Sequence, residues 1–539
     1  MNDDVLTGPG NATLSVATIL AESAHRYRDK TAVIWAGQSG PQAQATYGEL
    51  WRDAKAVAGA LKARGVGRGD RVAMLVPNVP DFPRIYYAIL AIGAVAVPIH
   101  LLFKRDEIAH VLRDSGAKLV VIGAPSLGEA LPAAMEAGID AVSVLLPEAA
   151  RDLAPIPRLE ELMAEAEPIL RQEAMNPLEP ATLLYTSGTT GTPKGAVNSH
   201  LSLVEQVHVS LIDLFDMRED DVVFGGLPLF HTFGQTCVLN TGFRRGATIV
   251  MLPKFEPAGA LAAMAEHGAT VFTAVPTMYV GLLAGARAGA PKPPLRYAVS
   301  GGAPLPLAVL EEFSATFGAT VYEGYGLTET SPVVSFNPVG REIRPGTIGV
   351  PIWGVDVVIA DADVEGRIVE LPRGELGELV VRGHNLFKGY LGKPEATAEA
   401  VVDGWFRTGD LATMGEDDYL TIVDRKKDMI LRNGYNVYPT EVESVMMRHP
   451  AVQAAAVFGT PHEKHGQEIE AAVVLREGQA ATAEELIAFT KAKIAAYKFP
   501  RVVHLVDELP LGPSGKVLKR ELTRVHSQQE AQPQAAAQA

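Results

Sequence analysis

Continuous apolar runs alternate with helix-patterned stretches through the first 340 positions, and this alternation restricts the fold more than any other feature. Positions 71–76, 95–99 and 118–122 read as strands, with helical patterns over 81–94 and 104–116 between them. A strand with no polar face needs cover on both sides, so these strands belong to a sheet sandwiched by helices. The pattern returns at 248–252 and 270–275 around a helical stretch at 257–267, and at 295–299 and 320–322 around another. Such an order predicts α/β architecture with largely parallel sheets, here as two doubly wound subdomains.

After about 340 the character changes. Short β-type runs at 355–359 and 378–381 sit between Gly and Pro turns, which predicts a small β-barrel or sandwich. A last unit starts near 419. Positions 419–423 and 428–431 read as a hairpin. A helix opens at Pro439, where the missing N–H costs nothing, and Val442 and Met446 share one of its faces. Strands at 454–457 and 469–475 follow, then a helix over 483–495 with Thr482 and Glu485 as its capping box. This last unit reads as a small α+β domain. The Gln- and Ala-rich stretch 527–539 reads as a disordered tail.

The chain has 539 residues, and its 48 basic against 63 acidic side chains give a formal charge of -15. That balance argues against a nucleic-acid partner, which needs a dense basic surface. Cys237 is the single cysteine, so no intrachain disulfide forms and a reducing compartment is expected. The start, Met1-Asn2-Asp3-Asp4, lacks the features of a signal peptide. The longest apolar stretch, 86–99, is interrupted by Gly93 and Pro98 and is shorter than the roughly 20 residues a bilayer requires. A cytoplasmic protein is expected, one compatible with peripheral membrane contact. Oligomeric state is not legible.

The strongest local signal follows the apolar run 182–185: Thr186, Ser187, Gly188, Thr189, Thr190, Gly191, Thr192, Pro193, Lys194, Gly195. Glycines let backbone N–H groups approach an anion, hydroxyls add donors, and Lys194 adds charge. The string departs from the usual P-loop, in which Gly-Lys-Ser/Thr opens a helix. The competing reading is a flexible Ser/Thr/Gly linker. Such linkers rarely interrupt a sheet strand, so the loop reads as a cradle for the β- and γ-phosphates of a nucleotide.

This loop resembles the signature loop of the adenylate-forming superfamily, which includes acyl-CoA synthetases, peptide-synthetase adenylation domains and firefly luciferase. Further motifs follow in that family's order over nearly the whole chain. Glu323-Gly324-Tyr325-Gly326-Leu327-Thr328-Glu329-Thr330 resembles the segment in which the tyrosine stacks on adenine, the threonine contacts the α-phosphate and the glutamate helps hold Mg²⁺. An aromatic face and a hard carboxylate suit those tasks. Thr186 is the second residue the resemblance points to as a metal contact. Gly301, Gly302 and Ala303 resemble the backbone lying along adenine and the acyl group, and Asp410 the acceptor of both ribose hydroxyls. Arg425 matches the arginine touching ribose, and Lys427 the pivot of a large rotation by the C-terminal domain.

Lys516, in Pro510-Leu511-Gly512-Pro513-Ser514-Gly515-Lys516, resembles the catalytic lysine. His231 and Phe233 lie in a stretch resembling the lining of the carboxylate site, and a satisfied core histidine is the rival reading for His231. Gly434 and Tyr435 fall in a string like that of fatty-acid–CoA ligases. Many relatives carry two adjacent glycines there, where this chain has Asn433-Gly434.

The resemblance implies an AMP-binding region over 1–424, a hinge at 425–428 and a mobile lid over 429–526. It implies ATP, Mg²⁺ and CoA as reaction partners and a medium- or long-chain fatty acid as substrate. An aryl or arylalkyl acid, or a carrier protein as the acceptor, are the alternatives. His462 and His465 are three apart rather than four, which counts against a zinc helix motif. Cys237 has no obvious base partner in the sequence and reads as packing.

Overall fold

The computed structural model describes residues 14–536 apart from 41–42, 149–154, 187–192, 463 and 513–516. Two α/β sheets form the N-terminal lobe. One has nine strands, with a parallel centre built from Thr31–Trp35, Thr248–Met251, Val222–Gly225, Val271–Ala274, Tyr297–Ser300 and Thr320–Gly326. The other has six. Its parallel strands Arg71–Leu75, Val95–Pro98, Leu119–Gly123 and Asp140–Val144 are extended by the antiparallel pair Pro180–Thr186 and Lys194–Ser199. Every residue of Leu119–Gly123 is buried, as expected of a strand covered on both faces.

Local chemistry sets the element ends. The helix Tyr47–Ala63 starts at a capping box in which Thr46 and Glu49 satisfy each other's backbone N–H groups. The helix Arg105–Ser115 stops at Gly116, whose φ of 59° is a left-handed cap that L residues with a Cβ resist.

The predicted β-barrel is a curled five-stranded antiparallel sheet, a half-barrel running from Val355–Ala360 to Leu420–Arg425. Its strand Leu420–Arg425 pairs back onto Trp405–Met414, whereas Ile430–Arg432 pairs with Tyr435–Val437. The hairpin expected between 419–423 and 428–431 is therefore absent. The chain changes sheets there through a turn in which Asp428 and Met429 donate N–H bonds to the Arg425 carbonyl.

The C-terminal lobe packs Pro439–Met446 and Ala483–Lys491 on one core with the long strands Val452–His462 and Gly466–Leu475. Thr482 and Glu485 form the expected capping box. The final helix spans Lys519–Ala536. The tail expected over 527–539 falls partly on this helix and partly, at 537–539, outside the described residues; Leu522 docks the helix's first turns against Phe458 and Ala472. Among the described residues no helix is long and apolar enough to cross a membrane.

Candidate active site

The two lobes share one cavity of about 1840 Å³. Its N-terminal wall holds Thr186, Lys194, His231, Phe233, the backbone of Gly301, Gly302 and Ala303, and the strand-and-turn from Glu323 to Glu329. Asp410, Arg425 and Lys427 close it from the half-barrel side, and Thr440, Glu443, Leu511, Val517 and Lys519 from the C-terminal lobe. Residues 187–191 and Lys516 lie outside the described residues. Their flanks are in place. Thr186 pairs across the sheet with Lys194, so the glycine-rich string joins two antiparallel strands. Leu511 and Val517, which flank that segment with Lys516, form an antiparallel bridge at the cavity wall.

On one part of the cavity wall the Tyr325 hydroxyl donates to Asp410 Oδ2, and Arg425 Nε lies 3.4 Å from Asp410 Oδ1. Burial and the neighbouring Asp410 charge hold the Tyr325 phenol well above its usual range, so it stays a donor. Asp410 is placed by its strand: its neighbour Gly409 gives its N–H to buried Glu378 at 2.9 Å, and Glu378 also takes two bonds from Arg407. A fixed aromatic face beside a carboxylate suits a nucleoside, with stacking for the base and acceptors for vicinal hydroxyls.

Toward the glycine-rich string, Glu329 is 8% exposed and accepts the Tyr390 hydroxyl on Oε1 at 2.9 Å. Lys194 Nζ stands 5.3 Å from the centroid of the Tyr390 ring. The short helical turn Thr328–Thr330 is held from behind by Asn198, whose Nδ2 donates to the Thr328 carbonyl at 3.0 Å. A second brace lies at the base of the string: the Tyr185 hydroxyl donates to Asp114 Oδ2 at 2.8 Å, and Lys393 pairs with Oδ1 of the same carboxylate at 3.3 Å. Tyr390, Asn198, Glu378 and Asp114 all escaped the sequence reading. Each acts on a residue dozens of positions away, so no local spacing betrays it.

Another part of the cavity wall is apolar. Cys237 lines it, and burial pushes its thiol up to about 12, as befits packing. A Cβ on Gly301 would come 3.1 Å from the Phe233 ring, and Gly302 has a φ of 83° that favours glycine. His231 accepts the Phe233 N–H on Nδ1 at 3.3 Å. Glu323, also on the cavity wall, is buried; burial raises its carboxyl to about 7 although Gly346 donates an N–H to it at 3.2 Å. Gly434 and Tyr435 do not line the cavity. They sit at the turn between Ile430–Arg432 and Tyr435–Val437, Gly434 with a φ of 78° and Tyr435 stacked on Tyr497 at 4.8 Å.

A family model described as AMP-binding enzyme matches residues 20–391, and one described as AMP-binding enzyme C-terminal domain matches 441–516. The chain belongs to the AMP-binding enzyme family. Within it, the chain is 33% identical over 548 residues to a long-chain-fatty-acid–CoA ligase of Bacillus subtilis strain 168, covering 95% of this chain and 94% of the relative. It is 37% identical over 481 residues to a feruloyl-CoA synthase of an Amycolatopsis species, covering 89% and 93%. Its fold matches the crystal structure of the anthranilate CoA ligase AuaEII in complex with anthranoyl-AMP, with a TM-score of 0.87, 26% identity, and 96% and 98% of the two chains covered. The adenylate-forming resemblance read from the motifs and this family membership agree.

Proposed function

We propose that the protein is an ATP-dependent acyl-CoA synthetase that activates a medium- or long-chain fatty acid. One observation carries the reading: residues suited to a nucleoside (Tyr325, Asp410, Arg425), residues suited to phosphates (Thr186, Lys194, Glu329) and an apolar wall (Phe233, Gly301) line a single cavity. That combination fits a nucleotide whose α-phosphorus faces an incoming carboxylate.

In the first half-reaction a carboxylate oxygen of the acid attacks the α-phosphorus. The new acyl–O–P bond forms as the bond to the bridging oxygen breaks, and pyrophosphate leaves. Tyr325 stacks on adenine, Asp410 and Arg425 hold the ribose, Thr328 meets the α-phosphate, and 186–191 with Lys194 cradle the departing phosphates. Lys516 stabilises the charge developing on the transferring group; such a donor is worth about 3–4 kcal/mol.

Glu329 and Thr186 present hard oxygen donors to the same cavity, a donor set that fits Mg²⁺. The ion would neutralise charge on the phosphates. In the second half-reaction the CoA thiol attacks the acyl carbonyl and AMP leaves. Rotation about Lys427 withdraws Lys516 and brings Gly434 and Tyr435 toward the pantetheine arm, with His231 at the point of thiol entry. Gly434 and Tyr435 stand off the cavity here, and Val517 and Lys519 stand on it, which supports reading this orientation as the adenylating one.

The test is pyrophosphate release with a panel of aliphatic and aromatic acids, followed by CoA and mass detection of the thioester. Release that depends on a fatty acid and yields acyl-CoA supports the proposal. Release without thioester formation points to another acceptor. An aryl acid is the second reading, favoured by the 37% identity to feruloyl-CoA synthase, and preference for aryl acids in the panel would establish it.

A further inference from the structure

We propose that Glu470, His504 and His526 form a binding site for a divalent transition-metal ion of the zinc class, in the C-terminal lobe and apart from the cavity. The three residues each offer one ligand atom, and these atoms lie within 4.8 Å of one another. Topology brings them together. Glu470 lies on Gly466–Leu475 and His504 on the parallel neighbour Val502–Leu505, where His504 pairs with Ala472. Ala472 is two residues beyond Glu470, so the carboxylate and the imidazole share a face of the sheet. The helix Lys519–Ala536 lies over that face through Leu522 and delivers His526.

Glu470 is 2% exposed, with Oε1 accepting from Thr460 at 2.7 Å and Oε2 lying 2.6 Å from His504 Nε2. His526 brings a second imidazole to that pair: its ring lies on His504 with centroids 3.7 Å apart, the closest ring pair among the described residues. Two imidazoles and one carboxylate match a recurring zinc donor set, which leaves a fourth position for water. Thr460 supplies the outer hydrogen bond that orients the carboxylate.

The second group of this composition, His462, His465 and Glu468, is weaker. Arg432 occupies both oxygens of Glu468, and His462 is exposed. An ion at the first group would tie the terminal helix to the sheet. That helix starts three residues after Lys516 in the chain, and its Lys519 pairs with Glu443 at 2.7 Å, so the ion would brace the helix that follows the lysine.

The experiment uses the full chain, stripped with a chelator and dialysed, then titrated with Co²⁺ and followed by visible absorption. The site predicts about one equivalent of Co²⁺ with ligand-field bands, displaced by Zn²⁺, and a thermal midpoint raised by Zn²⁺. His526→Phe keeps the ring stack but removes the nitrogen. It weakens binding by about 10-fold or more, since losing even an outer partner costs that much. His504→Gln does likewise, while His462→Ala leaves the titration unchanged. A parent chain that binds neither metal overturns the site, and so does binding undiminished in folded His526→Phe.

Discussion

The Asp424 carboxylate accepts the backbone N–H of Thr440 on Oδ2 at 2.9 Å, and the two residues stand on opposite sides of the proposed hinge at 425–428. Asp424 is the penultimate residue of the strand Leu420–Arg425, and Thr440 lies in the first turn of the helix Pro439–Met446, so the bond caps that helix from the other lobe. The proposed rotation of the C-terminal lobe would break it. Asp424→Ala is therefore expected to disfavour the orientation seen here. A hydrogen bond to a charged group is worth about 1.5–3 kcal/mol, so adenylation falls roughly 10-fold or more. Thioester formation from supplied acyl-adenylate, which uses the other orientation, stays within about 2-fold by the same argument. Single-turnover rates of both half-reactions check it, and an equal drop in both would refute the latching role.

Lys516→Ala is expected to cut adenylation by roughly 10²–10³ while sparing thioester formation from presynthesised acyl-adenylate. The readout is again the two half-reactions measured separately. Comparable losses would remove Lys516 from its assigned role.

Tyr390→Phe deletes the hydroxyl that Glu329 accepts at 2.9 Å. The Glu329 carboxylate loses an orienting partner worth about 1–2 kcal/mol, so adenylation falls roughly 5- to 30-fold. The Mg²⁺ concentration for half-maximal pyrophosphate release rises as well. Glu329→Gln, which removes the charge, falls much further. A Tyr390→Phe enzyme with unaltered metal dependence would contradict this link.

Gly301→Leu is expected to alter the choice of acid and leave ATP binding almost intact. A Cβ there already meets the Phe233 ring at 3.1 Å, so a larger side chain must displace that ring or fill the apolar part of the cavity. KM for long acids should rise by about 10-fold or more, with short acids least affected. A uniform loss across a chain-length series, or a raised KM for ATP alone, would count against the acyl-pocket assignment.

Burial lifts Glu323 from its ordinary 4.5 to about 7, so the folded protein holds this proton more tightly than the unfolded chain. Between those values the folded state binds more protons, so this group's contribution to stability falls as pH rises from about 4.5 to 7 and then levels. The full cost is about 3 kcal/mol. Glu323→Gln, neutral throughout, should show a thermal midpoint that gains on the parent across that window. Parallel midpoints at every pH would show that the carboxyl is not held neutral.

The sequence was legible where a signal is local. Fully apolar runs such as 119–122 marked buried parallel strands, and Thr482 with Glu485 marked a helix start. The string 323–330 was legible because its residues act from one strand and turn. Pairing between distant segments was not: 419–423 looked like half of a hairpin, yet its partner is Trp405–Met414, and the intervening charges form a turn between sheets. Tyr390 stayed hidden because nothing near it announces a carboxylate 61 positions upstream. The Gln-rich end looked structureless from composition, which says nothing about Leu522 anchoring a helix just before it. The His504–His526 stack likewise arises only when a sheet face and a terminal helix meet.

Because both lobes wall the cavity, the mixed anhydride of the proposed first step would form between them. Such an anhydride hydrolyses readily in open water, and the two walls limit its contact with bulk solvent. The proposed parting of the lobes would remove one of those walls. Swinging open is thus also the moment of greatest exposure, and the ratio of thioester made to ATP spent measures how quickly the thiol arrives once the chamber is breached.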